Sequence, residues 1–170
     1  TRGDAVSVTD GHPLRQRRVR REPEAHDRPG RQGRFCRAAQ GSGGAWQASL
    51  WLDATGTIPV VLPGFNLGGI VATPNGRFLL VAQGTTGRLW RIDLATKEVA
   101  AVDLGLTSIV NADGIVLRGH TLWVVQNFSR QITELSLDGQ WTSASVKALT
   151  ATPADRTFTT AKIAHGRLLM

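Results

Sequence analysis

The sequence predicts an all-β chain assembled from repeated four-stranded units, and three observations carry that expectation. Short apolar runs are bounded by glycine and asparagine. The same order of runs returns after 43 to 45 residues. No stretch shows the apolar spacing of 3.6 that a helical repeat would need.

The elements follow in order. Gly69-Ile70-Val71-Ala72 opens the first unit. Asn75-Gly76 marks a turn, and the apolar run 78–82 after it reads as a buried strand. Residues 84–87, Gly-Thr-Thr-Gly, suit a hairpin, because glycine takes positive φ without strain. Residues 88–93 read as a half-buried strand, and 98–103 as a further one. The second unit repeats this order. Gly114-Ile115-Val116 answers to Gly69-Ile70-Val71, residues 119–124 to 76–81, and 133–137 to 90–94. A third copy begins at Ile163 and reaches Met170 inside its strand.

A period in the low forties with four short strands per unit is the signature of β-propeller blades. The Trp-Asp dipeptide of the commonest blade type is missing. Residues 46–170 are therefore expected to form a partial β-propeller of about three blades. About four to eight blades close such a ring, so the chain reads as a fragment or as one part of an assembly.

Residues 1–45 differ in kind. They hold ten Arg and no Lys against five acids, so most of the +7 net charge of the 170-residue chain lies there. From Leu14 to Ala45 neither period 2 nor period 3.6 appears, and bulky apolar residues are few. Such a stretch buries too little area to offset its ordering entropy. The segment 1–45 is expected to be mostly non-globular, either disordered or aberrant. Its Arg, Gly, Pro and Ala are also what a GC-rich gene yields out of frame. The run RQRRVRR at 15–21 would suit a nucleic-acid arm. The absence of Lys and of interleaved aromatics, with Glu22, Glu24 and Asp27 adjoining, argues against that partner. No apolar run is long enough to span a membrane. The single Cys36 excludes an internal disulfide and a multi-thiolate zinc site. Neither a GxSxG elbow nor a P-loop is present.

Several stretches resemble bacterial proteins of the SMP-30/gluconolactonase/LRE-like group. They are Trp51-Leu52-Asp53, then Pro63-Gly64-Phe65-Asn66-Leu67-Gly68-Gly69-Ile70, then Asp113-Gly114-Ile115, and Leu122-Trp123-Val124-Val125-Gln126-Asn127. Thr157-Phe158-Thr159-Thr160 also fits, and the resemblance covers about residues 46–170. It implies a six-bladed propeller and a metal-dependent hydrolase of lactones or related esters. The implied partner is a small lactone-like substrate. The implied cofactor is one divalent cation, calcium or zinc, held by carboxylates and an Asn in the central channel. Relatives often carry export signals, which leans toward a secreted or periplasmic home.

On this resemblance Asp113 falls at the Asp-Gly ligand motif. It is the candidate metal ligand and the candidate catalytic residue, with a loop-capping Asp as the plain alternative. One blade earlier the family's Asn is replaced by Gly68, so Gly68→Asn is expected to restore a ligand. Asn127, His120 and His165 read as loop residues, Asp93 and Asp138 as turn caps, and Trp90 and Trp123 as packing. The isolated chain is expected to be inactive, since its channel cannot close. The competing function is a non-catalytic propeller that binds a small molecule or a protein, because fold alone does not deliver function.

Overall fold

The computed structural model describes residues 5–8 and 33–170. Every helix or strand among them is a β-strand, as the alternation predicts. No helix among the described residues is long and apolar enough to cross a membrane. The chain divides into two compact units, Thr1–Val60 and Val61–Met170.

The first unit carries a three-stranded antiparallel sheet in the order β1 (Ala5–Val8), β2 (Arg34–Gln40), β3 (Trp46–Asp53). Strands β2 and β3 pair from Arg34↔Asp53 to Gln40↔Trp46, and this hairpin straddles residue 45. The division between compact units falls at 60/61, and the composition boundary of 45/46 lies within the first of them. Strand β2 also lies inside the segment expected to be mostly non-globular. What holds it is the main-chain ladder on both sides, a fully buried Phe35, and the Arg34 Nε–Asp53 Oδ2 bond of 2.9 Å. The basic run at 15–21 lies outside the described residues.

The second unit begins with two antiparallel four-stranded meanders, the blades expected from the repeat. One is β4 (Leu67–Ala72), β5 (Phe78–Gln83), β6 (Arg88–Asp93) and β7 (Val99–Val102). The other is β8 (Ala112–Arg118), β9 (Thr121–Gln126), β10 (Gln131–Leu137) and β11 (Ala144–Ala151). The pair β12 (Lys162–Ala164) and β13 (Arg167–Leu169) follows as the start of a third.

The two meanders share one apolar core. Alternation along β5 sends Phe78, Leu80 and Ala82 into it, and alternation along β9 sends Leu122 and Val124. Leu89, Ile109, Ile115, Leu135 and Trp141 fill the rest. Each fully buried Leu contributes roughly 1.5–3 kcal/mol. An exposed ion pair such as Arg156–Asp155 contributes little, because water screens it. Packing between the sheets, not surface charge, holds this unit.

Turn chemistry follows the sequence reading. Asp93 Oδ1 accepts from the N–H groups of Ala95 (2.9 Å) and Thr96 (3.1 Å). Asp138 Oδ1 accepts from Thr142 N (2.7 Å) and Ser143 N (3.2 Å). The His120 ring stacks on Trp141 with centroids 4.2 Å apart, and its Nδ1 lies 3.0 Å from the Asp138 carbonyl. His165 sits in the turn between β12 and β13 with φ of 50°.

Candidate active site at the β8 bulge

Both inner strands carry the same irregularity. In β4 the pairing with β5 jumps from Leu67↔Gln83 to Ile70↔Val81. In β8 the pairing with β9 jumps from Ala112↔Gln126 to Ile115↔Val124. Two residues thus oppose one, a β-bulge, which re-aims side chains at the end of a ladder. The register makes Gly68 the counterpart of Asp113 and Gly69 the counterpart of Gly114.

A main-chain ladder ties this end of the two sheets together. Gly84 N–H donates to Asn66 O (2.9 Å), Asn111 N–H to Gly84 O (2.9 Å), and Asn127 N–H to Asn111 O (3.1 Å). Asn111 meets this pattern with φ of 62°, a left-handed conformation that asparagine tolerates well. Buried glutamines close the second strand of each sheet. Gln83 Oε1 accepts from Trp90 Nε1 (3.0 Å) and Thr86 Oγ1 (2.7 Å). Gln126 Oε1 accepts from Thr133 Oγ1 and Gln131 Nε2, while its Nε2 donates to Val110 O (2.7 Å). Trp90 is therefore packing with its indole N–H satisfied.

Asp113 is half-buried on the β8 bulge. Asn127 Nδ2 donates to its Oδ2 at 3.0 Å. The Asn127 Oδ1 accepts from Phe128 N–H at 2.6 Å, which turns the amide NH2 toward the carboxylate. Asn127 is the residue that the sequence reading left as a plain turn. Its partner lies 14 residues away, and only the bulge brings the two together.

Gly68 corrects an expectation. A Cβ there would meet Asp113 O at 2.8 Å and Ala112 O at 3.1 Å. Backbone carbonyls cannot yield as a flexible side chain can, so the position is closed to asparagine in this geometry. Gly68 serves close packing of β4 on β8; it is not an empty ligand place waiting for its side chain. Asn66 does not substitute. Its side chain is tied into its own loop, accepting from Val61 N–H (2.8 Å) and donating to Val61 O (3.0 Å) and Gly64 O (3.1 Å).

A hard cation prefers oxygen donors, and the Asp113 carboxylate fits it as one ligand. Among the described residues no group of three or more His, Cys, Asp or Glu converges on such a centre. Asp113 is thus a carboxylate donor at this end of β8 that belongs to no such group among the described residues.

Solved structures resemble this chain, among them the following three. A protein from Lactobacillus plantarum matches with a TM-score of 0.52 and 18% identity, over 76% of this chain and 39% of its own. A candidate 6-phosphogluconolactonase from Bacteroides uniformis matches with a TM-score of 0.51 and 13% identity, over 74% and 38%. A periplasmic gluconolactonase of Pseudomonas aeruginosa gives 0.48 and 18%, over 72% and 35%. The fold is a partial β-propeller. The chain spans between 35% and 39% of the length of these structures. No family model matches the sequence, and no curated protein does.

Proposed function

We propose that this chain is part of a metal-dependent hydrolase of lactones or related esters, with Asp113 as its reacting-site carboxylate. The carrying observation is Asp113 itself: a half-buried acid on a bulge at the end of an inner strand, its orientation held by Asn127. The propeller fold, shared with a candidate 6-phosphogluconolactonase, supports the reading as analogy. In this reading the whole protein is six-bladed, the substrate is a small lactone, and the activity belongs to the closed ring.

Asp113 would hold a calcium or zinc ion through one carboxylate oxygen, with further ligands from beyond the described residues. The bound cation supplies Lewis-acid polarisation of the ester carbonyl. Asp113 would present its carboxylate from the bulged end of β8, and Asn127 fixes its plane. The test is Asp113→Asn in the full-length protein. Lactone hydrolysis is expected to fall about a hundredfold or more, and calorimetry should show weaker calcium or zinc binding. Stability should hold, since asparagine keeps the shape and an acceptor for Asn127. Unchanged turnover and unchanged metal binding would overturn the proposal.

A second reading has one observation in its favour. Gly68, the counterpart of Asp113, offers no side chain and has no room for one. A propeller that binds a small molecule or protein without chemistry needs no second ligand there. A full-length protein that hydrolyses no lactone, with or without Asp113, would leave this reading standing.

A further inference from the structure

We infer that Asn127 is the positioning residue of Asp113, a role separable from the turn in which it sits. The inference rests on the reading of Asp113 as the reacting-site carboxylate.

The two sheets supply an internal control. Register equates Gln83 with Gln126, so Gly84 is the counterpart of Asn127, just as Gly68 is the counterpart of Asp113. In the first sheet both members of the pair are glycine; in the second both carry side chains, and those side chains are bonded to each other at 3.0 Å. The main-chain bond of the ladder forms in either case: Gly84 N–H reaches Asn66 O at 2.9 Å, and Asn127 N–H reaches Asn111 O at 3.1 Å. The turn therefore closes without an asparagine side chain. What that side chain adds is a donor aimed at the Asp113 carboxylate.

The aim is itself fixed. Phe128 N–H donates to Asn127 Oδ1, so the amide cannot swing its oxygen toward Asp113 without losing that bond. Asn111 steadies the same turn from beneath, its Nδ2 donating to Ser129 Oγ at 3.0 Å. A carboxylate side chain has rotational freedom about its own bonds that hydrogen bonds restrict. A fixed donor removes it, and misplacement of a reacting group by about 1 Å costs on the order of a hundredfold in rate.

Two variants separate the roles. Asn127→Gly installs the residue that the first sheet uses and should leave the fold intact. Asn127→Asp keeps the shape and the acceptor for Phe128 but removes the donor. The decisive measurement needs no turnover: side-chain amide and carboxylate resonances of the isotopically labelled full chain. In the wild type one Asn127 amide proton should lie downfield, and Asp113→Ala should return it to the free-amide position. In both Asn127 variants the Asp113 carboxylate carbon should move from its wild-type position. In the full-length protein the same variants should lower kcat for lactone hydrolysis about tenfold with KM little changed. An Asn127 amide indifferent to Asp113→Ala would overturn the inference. So would an unmoved Asp113 resonance in both variants. Resonances that behave as expected in a protein that hydrolyses no lactone would support the Asn127–Asp113 coupling and overturn the hydrolase reading instead.

Discussion

Gly69 in β4 and Gly114 in β8 hold the same place in successive sheets, and each lets the next segment approach to backbone contact. A Cβ on Gly69 would meet Ile115 N at 2.5 Å and Asp113 O at 2.7 Å. A Cβ on Gly114 would meet Thr160 Cα at 2.6 Å and Thr159 O at 2.7 Å, and Gly114 N–H donates to Thr159 O at 2.7 Å. The first contact is with strand β8 and the second with the irregular segment before β12, so the glycine place is repeated while its neighbour differs.

Gly69→Ala and Gly114→Ala are each expected to destabilise the protein by about 1–3 kcal/mol, the usual cost of forcing extra volume into a packed site. Gly76→Ala has open space around its Cβ, although φ of 66° still strains it, and should cost less than either. Urea unfolding midpoints check this. Equal midpoints for all three would show that the close approach does not matter.

Gly68→Asn should add no cation affinity. Its Cβ would press on the Asp113 and Ala112 carbonyls, so the expected result is a lower thermal midpoint with calcium and zinc titrations unchanged. A gain in affinity on calorimetry would show that β8 retreats to make room.

Acid should weaken the protein through its turn aspartates. The Thr96 N–H, ahead of those of Ala95 and the Arg77 side chain, holds Asp93 below the ordinary carboxylate range, against the opposing push of burial. At Asp138 burial pushes upward, but the Thr142 hydroxyl with the Thr142 and Ser143 N–H groups outweighs it, and the net direction is down. A carboxyl lowered in the folded state stabilises above its unfolded value, near about pH 4, and that stability fades as pH falls through the folded value. Asp138→Ala should cost about 1–2 kcal/mol at neutral pH through lost hydrogen bonds. It should also flatten the loss of stability below about pH 4. An acid limb as steep as that of the wild type would contradict the assignment.

Legibility from sequence followed burial. Strands β5 and β9 announce themselves because packing on both sides demands unbroken apolar runs, and the 43–45 residue spacing places their neighbours. Strand β3 is exposed along most of its length, and β2 alternates poorly, so neither leaves a periodic trace. The Asp-Gly-Ile motif singles out Asp113 as a candidate. Its bond to Asn127 is not legible, because it depends on a bulge that no local pattern encodes. Gly68 was misread for the same reason: a gap in a motif looks like a lost function until the neighbouring carbonyls are in view.

The ladder Asn66–Gly84–Asn111–Asn127 is written entirely in peptide groups. Its rungs are nevertheless not alike: a Cβ on Gly84 would meet the Ala112 carbonyl oxygen at 2.7 Å, so the first sheet is held to glycine where the second carries the Asn127 side chain. Glycine stands at one rung and asparagine at its twin, on the same stitching. The same peptide seam thus admits a side chain in one sheet and forbids it in its neighbour.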